Sequence, residues 1–323
     1  MLDYQSISAY LGELECDGIT LDHAELMRYR TLANTIKLQP NKRTSNLQAG
    51  IERSAIKGRG MEFDEARSYQ PGDDIRSIDW RVTARTGKPH TKVFREERER
   101  PVFVYVDLSN TMRFGTELLL KSIQASHLAA LLGFSAIKRG DKIGGVIFNE
   151  TIDVEIKPKT RNRGILGIID ALVQNHKLSS QDHRENTALG ALRRLQFVSK
   201  PGALIHLISD FSQFHQDHFD IVGTMARHCE ISANQIFDPF EIELPTSNNH
   251  LSLNVTDGTV SQTIDFSNVK SNSQYHQRSL EHRKTLKNRF SELGIALKII
   301  SCGLPLTEQL TINKNGYVVG QPL

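Results

Sequence analysis

The sequence predicts an α/β fold: a doubly wound, mostly parallel sheet flanked by helices, with an N-terminal helical and β appendage. Three observations predict it. Two runs, Val102-Phe103-Val104-Tyr105-Val106 and Ala203-Leu204-Ile205-His206-Leu207-Ile208, are almost continuously apolar and rich in β-branched residues, as strands covered on both faces are. Segments with apolar residues at helical spacing lie between such runs. From residue 101 onward strands and helices alternate, the rhythm of parallel strands joined by crossovers. The first hundred residues lack that rhythm. The expected division is therefore an appendage over 1–100 and a sheet domain over 101–323, with a hairpin excursion at about 238–266.

In chain order, residues 1–37 read as helical, with Asp22 as a cap and Leu26, Leu32 and Ile36 on one apolar face. Residues 38–60 are turn-rich and basic: Lys42, Arg43, Arg53, Lys57 and Arg59 face only Glu52. Residues 61–99 are dense in charge, and His90-Thr91-Lys92-Val93-Phe94-Arg95 alternates as a strand does. Residues 102–107 form the first sheet strand, and 116–139 a helix ending at Lys138-Arg139-Gly140. Segments 142–148 and 152–156 flank Asn149-Glu150-Thr151 as a hairpin, the second being an antiparallel edge. Residues 163–174 and 187–198 read as helices, 203–208 as a strand, 214–228 as a helix and 231–237 as a strand. A small hairpin, 251–256 with 259–264, turns at Asp257-Gly258. A long helix over 269–293 stops at Gly294, followed by a strand over 295–300 and a short closing helix over 304–310.

Composition narrows the function. Hydrophobic residues at 38% and charged residues at 24% describe a soluble globular chain with a real core, and a net charge of +3 is too small by itself to imply nucleic acid. No apolar run approaches the ~20 residues of a spanning helix. Residues 1–22 show no basic segment followed by an apolar one, so no signal peptide is expected. Cys16, Cys229 and Cys302 form no CxxC pair, which argues against a zinc ribbon or a disulfide framework and for a reducing, cytoplasmic compartment. There is no P-loop, because Gly87-Lys88 runs into Pro89, and no nucleophile elbow around Gly133-Phe134-Ser135. His215-Gln216-Asp217-His218 offers two histidines without a third ligand and reads as a solvated helix face, and His206 as a core histidine.

The informative chemistry lies where the first sheet strand runs out. Asp107-Leu108-Ser109-Asn110-Thr111 places a carboxylate and two hydroxyls two residues apart at a strand's carboxyl end, where open α/β sheets bind ligands. Asp210 follows the second apolar strand, and Thr187 opens a helix after a polar loop. Together Asp107, Ser109, Thr111, Thr187 and Asp210 make an all-oxygen set suited to a hard divalent cation such as Mg2+, with Mn2+ or Ca2+ as substitutes. Each could instead be a turn former or helix cap.

This pattern resembles the metal-ion-dependent adhesion site of von Willebrand factor A domains, with Thr111 where serine is usual. The resemblance covers roughly residues 100–310 and implies that a bound metal would capture an acidic side chain of a protein partner. A second resemblance lies upstream. Gly60-Met61-Glu62-Phe63-Asp64-Glu65-Ala66-Arg67, then Tyr69-Gln70-Pro71-Gly72-Asp73-Asp74-Ile75-Arg76-Ser77-Ile78-Asp79-Trp80, then Thr83-Ala84-Arg85-Thr86-Gly87-Lys88-Pro89 looks like the signature of the bacterial DUF58 family. That resemblance implies a non-enzymatic adaptor or cofactor of a MoxR-type AAA+ ATPase.

Within the 60–89 signature, Arg76, Asp79 and Arg85 are expected in buried charged hydrogen bonds, with Trp80 as a packing anchor. Asp73 and Asp74 form either a turn or a second acidic site. Two other functions remain open. Asp107 and Asp210 could hold a catalytic metal in a phosphoester hydrolase. The excess of Arg81, Arg85, Lys88, Lys92, Arg95, Arg98 and Arg100 over Glu96, Glu97 and Glu99 could track nucleic-acid phosphates, although mixed signs usually mark a solvated face.

Overall fold

The computed structural model describes residues 4–35, 61–96, 100–177, 187–244, 252–256, 261–265, 269–313, 316–319 and 321–322. The chain divides into two compact units, one made of Met1–Arg43 with Arg100–Leu323 and the other of Thr44–Glu99. The N-terminal helices group with the sheet rather than with the signature segment.

The chain begins with α1 (Tyr4–Leu14), α2 (His23–Met27) and α3 (Tyr29–Thr35). Asp22 caps α2 as expected, its side chain accepting from His23 N. These helices join the larger unit through its core. Leu21, Leu26, Tyr29 and Ala33 are buried among residues of the sheet unit. Leu120 N donates to Gly18 O at 3.0 Å, and a Cβ on Gly18, whose φ is 76°, would meet Leu118 O at 2.4 Å. A buried pair, His127 Nε2 to Glu25 Oε1 at 2.5 Å, completes the attachment. Ile36 lies outside the described residues.

The smaller unit holds β1 (Met61–Ser68), α4 (Trp80–Thr86) and β2 (His90–Glu96). β1 and β2 pair antiparallel with a bulge between Phe63 and Glu65. The strand at 90–95 was expected, whereas β1 and α4 were hidden in charge-rich sequence. Within this unit Arg76 and Arg85 are exposed, and Trp80 is 69% exposed at the start of α4. The acidic residues serve local backbone instead. Asp79 accepts from Arg81 N and Val82 N, Asp74 from Arg76 N, and Asp73 from Gln70 N and Arg67 Nη2.

The larger unit continues with β3 (Pro101–Asp107), α5 (Lys121–Lys138), β4 (Lys142–Phe148), β5 (Asp153–Lys159), α6 (Asn162–Lys177), α7 (Thr187–Val198) and β6 (Leu204–Ser209). Then come α8 (Gln216–Ala226), β7 (Glu230–Phe237), β8 (Ser252–Thr256), β9 (Ser261–Asp265), α9 (Val269–Glu292) and β10 (Leu297–Ser301). The chain closes with β11 (Leu310–Asn313), β12 (Gly316–Val319) and β13 (Gln321–Pro322). Seven strands form the main sheet in the order β13-β10-β7-β6-β3-β4-β5. Pairing is parallel from β10 to β4 and antiparallel at both margins, where β5 meets β4 and β13 meets β10. The mostly parallel sheet flanked by helices is thus as expected, including the antiparallel edge after Asn149. One layer packs α5 and α6 on the sheet through Ile123, Leu128, Ile165 and Leu172; the other packs α7, α8 and α9 through Leu192, Val222 and Phe290.

Three local expectations change. Helix α5 starts at Lys121 rather than residue 116, because Thr116 N and Oγ1 both donate to Asp238 and hold the preceding loop open. The closing helix over 304–310 is a turn followed by β11. Backbone bonds there run from Glu308 N to Pro305 O and from Gln309 N to Leu306 O, while the Gln309 amide bonds Ser301 and Leu304. The hairpin of β8 and β9 forms as expected, its Asp257-Gly258 turn lying outside the described residues. All three cysteines are free, with Cys229 and Cys302 buried. Among the described residues no helix is long and apolar enough to cross a membrane.

Candidate metal centre

Strand order places the site. The chain leaves β3 toward β4 on one side and returns to pair β6 on the other, so the direction of winding reverses between β3 and β6. A crevice opens at such a switch point, outside the carboxyl ends of the strands. Asp107 ends β3 and Asp210 follows β6, so the register that pairs Val106 with Ile208 brings both carboxylates to that crevice.

The two are joined through hydroxyls. Asp107 Oδ2 accepts from Ser209 Oγ at 2.6 Å, and its Oδ1 accepts from Ser109 N at 2.9 Å. Ser109 is fully buried, precedes a 3-10 turn over Asn110–Met112 without capping it, and places its Oγ 3.2 Å from Thr111 Oγ1. Ser212 Oγ lies 3.4 Å from Thr111 Oγ1 and 2.8 Å from Asp210 Oδ1, closing the circuit from one strand end to the other. Four of the five sequence-predicted residues, Asp107, Ser109, Thr111 and Asp210, therefore form one hydrogen-bonded group. Thr187 opens α7 as expected and is half-buried, but takes no part in the bonds that join those four. Its nearest tie is indirect: Tyr105 Oη donates to Ala188 O at 3.0 Å, fastening the first turn of α7 to the strand that carries Asp107.

Electrostatics separates the carboxylates. Burial, and then the charge of Asp210, push the Asp107 carboxyl up to about 6, against hydrogen bonds from Ser109 and Ser209 that favour its charged form. Burial works against the Asp210 charge too, but Lys121 and the donors of Ser212 hold that carboxyl below its ordinary value. Lys121 Nζ sits 2.8 Å from Asp210 Oδ2 and 2.5 Å from Glu241 Oε1. The backbone is also strained here. Phe211 adopts φ 60°, a left-handed conformation unusual for a residue with a Cβ. Its ring packs edge-on against Phe214 and Phe290, and its N–H donates to Ser209 Oγ.

Residues that sequence reasoning missed share a weak signal. Ser209 and Ser212 lie on either side of Asp210 in the sequence, and their hydroxyls bond Asp107 and Asp210. Lys121 was concealed in a helical pattern, yet a cation in the first turn of a helix opposes the helix dipole, and that mismatch marks a paired role. Glu150, beyond β4, accepts from Asn110 N and braces the loop between Ser109 and Thr111.

The donor chemistry suits a hard divalent cation: oxygen atoms only, from two carboxylates and two hydroxyls at one crevice. Among the described residues no three His, Cys, Asp or Glu side chains gather, so a cation held here would depend on the hydroxyls. The 215–218 histidines do not compete. His218 is buried, stacked on Phe214, and its Nδ1 accepts from His215 N, which corrects the solvated-face reading. His206 is a core histidine, its ring pushed down to about 3 by burial.

Comparison with known proteins bears on ancestry. Residues 65–285 match the family described as "Protein of unknown function DUF58". The uncharacterized proteins Rv1480 and MT1527 of Mycobacterium tuberculosis and Mb1516 of Mycobacterium bovis are each 31% identical over 214 residues, 65% of this chain. The match spans 66% of the length of those relatives. Among solved structures, BatB from Bacteroides thetaiotaomicron is 15% identical with a TM-score of 0.36, covering 60% of this chain and 98% of that one. An aerotolerance-related membrane protein from Bacteroides fragilis is 15% identical with a TM-score of 0.36, covering 56% of this chain and 87% of that one. Likenesses of that size carry no argument about this chain.

Proposed function

The chain belongs to the DUF58 family, and from that membership together with the strand-end site we propose that it is a non-enzymatic module that binds a protein partner through a divalent cation. On this reading the sheet unit is a von Willebrand A-like domain. Asp107, Ser109, Thr111, Thr187 and Asp210 would hold Mg2+, directly or through water, with Mn2+ or Ca2+ able to replace it. The ion would supply an open coordination position for an acidic side chain of the partner. The residues of this chain supply the rest. Asp107 and Asp210 bring negative charge into a buried crevice, Ser109, Ser209 and Ser212 orient the carboxylate oxygens, and Thr111 links the hydroxyls of Ser109 and Ser212.

One observation carries the reading: two buried carboxylates from distant segments meet at the switch point, and burial, then the charge of Asp210, push the Asp107 carboxyl up to about 6. A cation would offset both the burial cost and the repulsion, which favours ion binding over a purely structural role. The partner we favour is a MoxR-type AAA+ ATPase in the cytoplasm, by the family resemblance. The test is affinity capture from the native host with Mg2+, with EDTA, and with Asp107→Ala. Loss of one protein under both EDTA and the substitution supports the reading; capture unchanged by both overturns it.

A second reading draws on the same Asp107. A carboxyl poised near neutral pH can take a proton, which a metal-dependent phosphoester hydrolase requires. Turnover of a phosphodiester by the wild-type chain, absent in Asp107→Ala, would favour hydrolysis over docking.

A further inference from the structure

Lys121 is the first residue of α5 and is 1% exposed. An ammonium buried at a helix N-terminus faces a desolvation cost and an unfavourable dipole. Two carboxylates hold it there, Asp210 at 2.8 Å and Glu241 at 2.5 Å. The two are not alike. The Asp210 side chain is 7% exposed and belongs to the crevice, whereas that of Glu241 is 36% exposed and its other oxygen accepts from Asp238 N. The ammonium thus stands between an inner acceptor, which a cation would also use, and an outer acceptor fixed by the backbone. Moved off Asp210, it would still have Glu241.

We propose that Lys121 is a tethered cation that sets the metal affinity of this site. It neutralises Asp210 when no ion is bound and competes with an arriving ion for the same carboxylate. Glu241 is the receiving group that makes the exchange possible. The inference rests on the metal reading and adds the residue that tunes it. A salt bridge with only a structural role would change stability when removed and leave ion affinity alone.

The test is calorimetric titration of Mg2+ into the full chain as wild type, Lys121→Met, Lys121→Arg and Glu241→Gln. Lys121→Met is expected to bind Mg2+ at least about tenfold more tightly, since a like unit charge a few ångströms away at an effective dielectric of about 20 opposes the ion by more than a decade. Lys121→Arg, which keeps the charge, should stay close to wild type. Glu241→Gln should bind several-fold more weakly, its ammonium resting on Asp210 alone. Melting curves in Mg2+ and in EDTA accompany each titration and report whether the variant folds. Equal affinity in wild type and Lys121→Met overturns the proposal and leaves the metal reading standing. Absence of Mg2+ binding in all four overturns both. Should Lys121→Met not fold even with Mg2+, Glu241→Gln decides, and unchanged affinity there overturns the proposal.

Discussion

Two groups of aspartates in this chain look equivalent on paper and differ in what surrounds them. Asp73, Asp74 and Asp79 sit in a turn-rich segment, and each is engaged locally: Arg67 and Gln70 N for Asp73, Arg76 N for Asp74, and the first turn of α4 for Asp79. Asp107 and Asp210 come from strands far apart in the chain, are buried, and face each other. Carboxylates satisfied by neighbouring N–H groups stabilise a turn and have little left to offer a ligand. Asp210 already leans on Lys121, whereas the Asp107 carboxyl, raised by burial and by Asp210, would be stabilised in its charged form by positive charge. By this contrast the strand-end pair is the stronger candidate for a cation site, and the aspartates of the signature segment serve their own turns.

The contrast can be broken or sharpened by substitution. The largest effect is expected for Asp210→Ala, which strips Lys121 of its buried partner. We expect a loss of about 3 kcal/mol in urea unfolding and no stabilisation by Mg2+. Asp107→Asn should act in the opposite direction. In EDTA at pH 7 it should gain on the order of 2 kcal/mol, because it removes a carboxylate whose folded value lies near 6, above the ~4 of an unfolded chain. The sign follows from proton binding. Between those values the folded state holds the extra proton, so the contribution of Asp107 to stability is fully present below about pH 4 and is lost as pH rises through about 6. Asp107→Asn should flatten this contribution, and Mg2+ should flatten it in the wild type. A stability difference between wild type and Asp107→Asn that does not change with pH across that window would contradict the assignment.

A smaller effect is expected in the signature segment. Asp79→Ala removes the cap of α4 and should cost about 1 kcal/mol locally. It should read out as faster amide exchange over residues 81–86 with Mg2+ affinity unchanged. The smallest effect concerns Thr111, the irregular residue of the candidate site. Thr111→Ser keeps the hydroxyl and should change Mg2+ affinity by less than about threefold. Thr111→Val, which removes it, should weaken binding clearly more.

Much of the sheet could be read from the sequence because parallel strands announce themselves. Residues 102–107 and 204–209 are buried on both faces and carry little but apolar side chains until the aspartate that ends each run. Helix α7 was legible to the residue, from 187 to 198, because its apolar stripe is clean. Strand β1 was not legible: its sequence, Met-Glu-Phe-Asp-Glu-Ala-Arg-Ser, is that of a two-stranded ribbon rather than a core strand. The 304–310 segment misled because leucines at helical spacing outweighed Pro305 and the side-chain bonds of Gln309. At the site, spacing identified Asp107, Ser109 and Thr111, which one loop supplies. Lys121 and Glu241 escaped notice because their meeting with Asp210 depends on strand order, which local pattern does not encode.

The order of β4, β3 and β6 carries a consequence for how the molecule is made. β3 finds β4 after a single helix, whereas its pairing with β6 waits for an edge strand and two more helices. The hydrogen bond from Ser209 to Asp107 closes a separation of 102 residues, and that from Lys121 to Asp210 one of 89. Contacts so distant in sequence form late, since chain entropy must be lost before they contribute. On the ribosome, Asp107 and Lys121 emerge long before Asp210. Until β6 docks there is one carboxylate, one uncommitted ammonium and no crevice. In a refolding experiment, Mg2+-dependent protection should therefore appear after most secondary structure has formed, and would report completion of the sheet rather than its nucleation.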